Sequence, residues 1–116
     1  MQKKTNADTC DSSHPPFVCP ECDGPLIEFQ ERDLARFKCK VGHQFSLESL
    51  TAGQAEALER GLWIAIRSLE DRAAIHEFHA RKYQGENDPE RAKQRAEIAT
   101  QNMKDAKLLR KIAGRI

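Results

Sequence analysis

The sequence predicts a small α+β protein in which short antiparallel β-strands pack on an antiparallel pair of long α-helices. Three observations lead to this fold class. Two cysteine-bearing corners enclose a segment whose alternation is typical of two short strands. A long stretch follows in which apolar residues recur every three or four positions, and the turn GENDP divides that stretch in two. At 116 residues the chain is long enough for one ordinary domain or for two small units.

The composition indicates a polar protein with thin helical packing. The hydrophobic fraction is 39%, the charged fraction is 32% and the mean hydropathy is -0.72. No apolar run approaches the roughly 18 residues of a transmembrane span, and the first sixteen residues lack the apolar segment of a secretory signal. We therefore expect a cytoplasmic protein without a membrane partner, whose four cysteines stay reduced and favour metal binding over disulfides.

The first part of the chain divides into a tail and a strand-bearing segment. Residues 1–16 are polar and without periodicity, so they are predicted to form a disordered tail. In residues 17–45, the runs LIEF and LARF flank a charged turn at residues 31–33. This arrangement predicts two short strands joined by a polar turn.

The two corners carry metal ligands at a regular spacing. Cys19 and Cys22 are separated by two residues, Cys39 and His43 by three, and sixteen residues lie between the two pairs. Tetrahedral Zn²⁺ takes four such ligands, and two tight turns that each supply a pair bring them together at little cost in chain entropy. The pattern predicts a zinc ribbon over residues 17–45. Because four protein ligands leave no position for a substrate water, the Zn²⁺ is expected to be structural rather than catalytic.

The fourth ligand has alternatives in the sequence. Cys10 and His14 lie upstream and are candidates to replace His43. We prefer His43 because it forms a close pair with Cys39, as the first two cysteines do with each other.

Glycines in both corners are expected to shape the ligand loops. Gly24 follows the first cysteine pair and Gly42 precedes His43. Glycine adopts backbone conformations that turn amide groups toward thiolates.

The first helix is predicted over about residues 46–84, with Ser46 or Thr51 as its N-cap. Gly61 weakens the middle of this helix by up to roughly 1 kcal/mol relative to alanine, and its small size is expected to allow a close approach by another segment. The apolar stripe consists of Leu58, Leu62, Ala65, Ile66, Leu69, Ala73 and His76.

The second helix is predicted over about residues 89–113, with Asp88 as its N-cap and Pro89 as its first residue. A short turn between two amphipathic helices makes them antiparallel neighbours, so residues 46–116 are predicted to form a helical hairpin. The stripe of the second helix consists of Ala92, Ala96, Ala99, Met103, Ala106, Leu109, Ile112, Ala113 and Ile116.

Charge is unevenly distributed along the chain. Residues 17–88 hold nine basic and thirteen acidic side chains, a net charge of -4, whereas residues 89–116 hold eight basic and three acidic, a net charge of +5. We interpret this mainly as attraction between the helices plus solvated faces. The alternative is that the second helix binds nucleic acid or an acidic partner through Arg91, Lys93, Arg95 and Lys104.

The segments FVCPECDGPLIEF, ARFKCKVGHQFSLESL and QAEALERGLWIAIRSLEDRAAI resemble the C-terminal extension of some bacterial chemotaxis-type protein-glutamate methylesterases. The likeness covers nearly all of residues 17–116. The matching residues are Cys19, Cys22, Arg36, Phe37, Cys39, Val41, Gly42, His43, Ser46, Leu50, Gln54, Ala55, Glu56, Leu62 and Trp63.

The resemblance implies a regulatory or docking appendage rather than an enzyme. In the family an esterase domain with serine, histidine and aspartate precedes the extension, and these 116 residues contain no glycine-flanked serine elbow. We therefore expect no catalytic residue and a free-standing, non-catalytic zinc-binding interaction module of bacterial signal transduction.

The expected partners are proteins, including a second copy of the chain bound through the helical hairpin. The alternatives are a small nucleic-acid-binding regulator and a subunit that acts with a separate methylesterase chain.

Overall fold

The computed structural model describes residues 16–116. Apart from Pro16, the tail predicted for residues 1–16 lies outside the described residues, as do Cys10 and His14. The described part contains strands β1 (Ile27–Glu31), β2 (Leu34–Lys38) and β3 (Gln44–Ser46), followed by helices α1 (Leu47–Gly85) and α2 (Pro89–Ala113). The small α+β class is confirmed. The chain divides into two compact units, one ending at Ala57 and the other comprising Leu58–Ile116.

Strands β1 and β2 form the predicted hairpin around a two-residue turn. Arg32 and Asp33 both have positive φ, 55° and 73°, as in a type I′ turn. This turn type matches the right-handed twist of the flanking strands, and it places Glu31 opposite Leu34. The polar turn expected from the sequence therefore sets the register of the hairpin.

The third strand was not predicted. Strand β3 pairs antiparallel with β2, and Phe45 lies opposite Phe37. A strand of three residues is too short to show an alternation of apolar and polar residues, so its sequence carries no periodic signal.

The metal-ligand corners and the strands share one apolar core, which also includes part of α1. Leu50, from the first turns of α1, is buried in this core. The first compact unit therefore continues into α1, beyond the boundary at residue 45 expected from the sequence. The buried members of the core are Cys19, Leu26, Phe37, Cys39, Phe45 and Leu50.

Helix α1 begins with a reciprocal cap. The backbone N–H of Ser49 donates to Oγ of Ser46 at 3.1 Å, and the N–H of Ser46 donates to Oγ of Ser49 at 2.9 Å. Two N–H groups without helical partners are satisfied in this way. Ser46 is thus the N-cap, whereas Thr51 lies inside the helix, where its hydroxyl donates to the carbonyl oxygen of Leu47.

Helix α2 begins where the sequence predicts. The N–H of Arg91 donates to the Asp88 carboxylate at 3.2 Å, and Pro89 is the first helical residue. Both predictions for this helix start are confirmed.

The helices α1 and α2 pack along a seam with coiled-coil spacing. On α2 the buried alanines recur every seven residues, and on α1 a row of buried and partly buried positions alternates between spacings of three and four. This spacing keeps one face of each helix against the other. The α2 alanines are Ala92, Ala99, Ala106 and Ala113, and the α1 seam consists of Leu62, Ile66, Leu69, Ala73, His76, Ala80 and Tyr83.

Several details of the helices differ from the sequence prediction. Of the residues predicted for the apolar stripes, Leu58, Ala96 and Ile116 are exposed. Met103 is 46% exposed, and Asn102 is buried in its place because it lies three residues after Ala99 and four before Ala106. The close approach expected at Gly61 is absent, since a Cβ built there has no described atom within 4 Å apart from the neighbouring backbone of its own helix. It occurs instead at Gly53, where a Cβ would meet Cγ of Pro20 at 3.0 Å.

Candidate metal centre

The first corner is held by backbone hydrogen bonds around a left-handed residue. The N–H of Cys19 donates to the carbonyl oxygen of Gly24 at 2.7 Å, and that of Asp23 donates to the carbonyl oxygen of Cys19 at 2.8 Å. The left-handed residue is Asp23, with a φ of 66°, and not Gly24 as the sequence suggested. Aspartate tolerates this conformation because its short polar side chain bonds locally.

The second corner has the same design with glycine at the strained position. The N–H of Cys39 donates to the carbonyl oxygen of His43 at 3.1 Å, and that of Gly42 donates to the carbonyl oxygen of Cys39 at 3.2 Å. Gly42 has a φ of 118°, which side chains rarely adopt. The expected role of Gly42 is therefore observed.

The two corners bring the four predicted ligands together. One ligand atom from each of Cys19, Cys22, Cys39 and His43 lies within 4.8 Å of all the others. Nδ1 of His43 is 3.3 Å from Sγ of Cys39 and 3.6 Å from Sγ of Cys19. Sγ of Cys22 is 3.6 Å from Sγ of Cys39. These four atoms could hold one metal ion.

The surroundings of the thiols favour an anionic cluster. Burial raises the pKa of Cys39, but the N–H groups of Gly42 and His43, the His43 ring and the Cys22 thiol outweigh it and lower the pKa to about 6. For Cys22 the N–H of Gly24 lowers the pKa, yet burial and the neighbouring cysteine sulphurs prevail and raise it. The Cys39 thiolate is thus stabilised by amide dipoles, and a bound cation would favour the charged form of Cys22.

The cluster lies at the edge of the ribbon core, with Cys19 and Cys39 buried and Cys22 and His43 partly buried. Cys19 is 0% exposed and Cys39 is 3% exposed, and both belong to the apolar core. A metal ion held by all four residues has no vacant coordination position. The arrangement is suited to holding a fold together.

One further residue that the sequence analysis singled out, His76, lies in the hairpin. His76 is buried on the seam, and its Nδ1 is 3.1 Å from a guanidinium nitrogen of Arg95. Because arginine is always a donor, Nδ1 accepts, and the imidazole is neutral with its proton on Nε2. Burial, followed by the charges of Arg72 and Arg95 and by His79, lowers the pKa of His76.

The four basic residues proposed for nucleic-acid binding do not form one surface. Arg95 contacts His76, and the guanidinium of Arg91 lies 5.8 Å from the centre of the Tyr83 ring. Lys93 and Lys104 instead line a shallow groove along α2 with Glu97. The sequence could have indicated this, because helical spacing places residues 91 and 95 toward the α1 side.

Comparison of the chain with protein-family models, with curated proteins and with solved structures found no match. Neither helix of residues 16–116 is long and apolar enough to cross a membrane. The metal-ligand geometry, together with the surfaces of the helices, is therefore the basis for assigning a function.

Proposed function

We propose that this chain is a non-catalytic, zinc-binding interaction module. The observation that carries the proposal is the convergence of three sulphurs and one imidazole nitrogen at the ribbon core, where Cys19 and Cys39 are buried. With Zn–S and Zn–N bonds of about 2.3 Å and 2.0 Å, a tetrahedral site has S–S edges of about 3.8 Å and S–N edges of about 3.5 Å. The distances of 3.6 Å between Cys22 and Cys39, and of 3.6 Å and 3.3 Å to His43, are close to these edges.

Zinc also suits the size of the ribbon. The ribbon has three short strands, and its core contains few large apolar side chains. Segments of fewer than about 40 residues rarely fold on apolar burial alone. Metal binding that requires the folded ligand geometry supplies the missing free energy. In this proposal the ion stabilises the ribbon and takes part in no reaction.

The hairpin is the proposed interaction surface. Several large apolar side chains of α1 and α2 remain exposed to solvent, as expected of a surface that binds another protein. The resemblance to the methylesterase extension supports a role in bacterial signal transduction, in the cytoplasm, either alone or with a separate methylesterase chain.

Replacement of the metal by Co²⁺ tests whether the site is closed. We expect the absorption spectrum of tetrahedral Co²⁺ with thiolate ligands, unchanged when excess azide is added, because no coordination position is open to an added anion. Cys39→Ser is expected to weaken the thiolate charge-transfer band. An azide-dependent change in the spectrum of the wild-type protein would contradict a purely structural site.

A second candidate function rests on the basic character of α2. Lys104 lines the groove that it shares with Lys93, and also a neighbouring one with Lys107 and Glu77. A nucleic-acid-binding regulator would show binding to generic DNA that weakens steeply with salt. Binding should fall for Lys93→Gln with Lys104→Gln, and should persist for Arg91→Gln, the control at the Tyr83 contact. Flat titrations at low salt would exclude this function.

A further inference from the structure

One face of α1 lies on the side of the helix opposite the seam with α2. Its residues are spaced by three or four positions, so they form a stripe along the helix, and all of them are exposed. We call this stripe the outer face of α1. It consists of Gly61, Ile64, Ser68, Asp71, Ile75 and Phe78.

The outer face is apolar at three of its six positions. Ile64, Ile75 and Phe78 are 54%, 57% and 59% exposed. Single exposed apolar residues are ordinary on a protein surface, but a helical stripe with coiled-coil spacing is the pattern of a helix that packs on a second helix. Helix α2 occupies the other side of α1, through the seam.

The order of residues on the outer face is self-complementary. About a midpoint between Leu69 and Glu70, Gly61 is the counterpart of Phe78, Ile64 that of Ile75, and Ser68 that of Asp71. A two-fold interface requires this relation, because residue i of one copy contacts residue j of the other and j contacts i. Because the spacing alternates between three and four residues, the side chains of two antiparallel helices meet in successive layers when the helices pair in this register.

We propose that the outer face of α1 binds the outer face of α1 from a second copy of this chain in an antiparallel, two-fold arrangement. The Phe78 ring of each copy lies over Gly61 of the other, where a Cβ position has no described atom within 4 Å apart from the neighbouring backbone of its own helix. Ile64 packs on Ile75, and the Ser68 hydroxyl donates to the Asp71 carboxylate. This inference rests on the proposed function as an interaction module and names its partner.

The chemistry of the outer face favours a second copy over an anionic ligand. Its one charged residue is Asp71, whereas Lys93 and Lys104 line a groove on α2. The three apolar side chains of two copies expose roughly 700 Å², taking about 200 Å² for each when fully exposed. This is about half of the smallest stable interface of about 1,200 Å², and neighbouring residues must add the rest. We therefore expect a reversible dimer that forms at about 10–300 µM protein.

Sedimentation velocity of the full-length zinc-loaded chain over this concentration range tests the dimer. Ile75→Lys is expected to weaken self-association by about tenfold or more, because it places a charge at an apolar contact. The control is Leu108→Lys on α2, at a residue that is also 57% exposed, and it should stay within about twofold of the wild type. A monomer throughout the range, or equal losses for both variants, would overturn the proposal.

A size exchange tests the register. Gly61→Phe and Phe78→Ala should each weaken the dimer by about fivefold or more, whereas the double variant should recover to within about threefold of the wild type. Non-specific apolar association predicts instead that Gly61→Phe strengthens self-association, and that outcome would overturn the register. Circular dichroism checks that each variant keeps its helices.

The experiments distinguish the proposed dimer from the proposed zinc-binding module. If the chain binds Zn²⁺ as proposed but does not dimerise, it stays monomeric while its Co²⁺ spectrum remains tetrahedral and insensitive to azide. If the closed metal site is wrong, the Co²⁺ spectrum responds to azide whatever the sedimentation behaviour.

Discussion

Replacing Cys39 by serine removes one of the four converging ligand atoms from the centre of the ribbon. Sγ of Cys39 lies 3.3 Å from Nδ1 of His43 and 3.6 Å from Sγ of Cys22, and the residue is 3% exposed. Its amide and carbonyl also close the second corner through hydrogen bonds. Cys39→Ser leaves these backbone bonds in place, so it acts on the metal and on the apolar core.

The expected loss follows from sharing the metal-binding energy among four ligands. Structural zinc sites in small domains bind with about 10–16 kcal/mol, so one ligand accounts for about 3 kcal/mol, or about a hundredfold in affinity. A buried serine hydroxyl without a hydrogen-bond partner costs about 1–3 kcal/mol more. The combined loss is comparable to the whole stability of so small a unit.

Competition with a chromophoric chelator measures the Zn²⁺ affinity, and hydrogen exchange measures the folding of each unit. For Cys39→Ser we expect the affinity to fall by about a hundredfold or more and the amides of the ribbon to lose protection. Those of the helical hairpin, a separate compact unit, should keep most of theirs. Cys10→Ser is the control and should change neither quantity. Unaltered affinity in Cys39→Ser, or a loss of affinity in the control, would refute this ligand set.

Three further predictions concern the helices. Gly61→Ala should raise the free energy of unfolding in urea by up to about 1 kcal/mol. Gly53→Ala should raise it less, or lower it, because the added Cβ would lie 3.0 Å from Pro20. Equal effects of the two substitutions would contradict the close approach at Gly53. Because the pKa of His76 is lowered in the folded state, stability should fall as the pH decreases below about 6.5, where only the unfolded chain takes up the proton. His76→Gln should lack this component, so the difference in unfolding free energy between the wild type and this variant should change as the pH falls below about 6.5. Asn102→Leu should raise the stability of the hairpin by about 1–3 kcal/mol, since Nδ2 of this buried residue has no hydrogen-bond partner in the described chain. A lower denaturation midpoint for this variant would indicate that Nδ2 does have a hydrogen-bond partner.

The parts of the fold that were predictable are those determined by residues adjacent in the sequence. The cap at Asp88 and the helix start at Pro89 depend on a few adjacent residues with strong conformational preferences, and the β1–β2 turn is visible as a short charged segment between two apolar runs. Strand β3 and the burial of Asn102 depend on partners distant in sequence, and nothing in their own neighbourhood indicates them.

The candidate site was predictable in composition but not in detail. The spacing of Cys19, Cys22, Cys39 and His43 reveals the ligands because tetrahedral coordination needs two tight corners. The spacing does not reveal that Asp23 takes the left-handed conformation, which glycine would be expected to adopt. Nor could it locate the contact between Gly53 and Pro20, which arises only when α1 lies against the first corner.

X-ray absorption spectroscopy of the zinc-loaded chain tests the central claim most directly. We predict one Zn²⁺ per chain with three sulphur ligands at about 2.3 Å and one nitrogen at about 2.0 Å. A spectrum with fewer sulphurs and an added water oxygen, or a chain that keeps its ribbon fold after complete removal of the metal, would contradict a sealed structural ion.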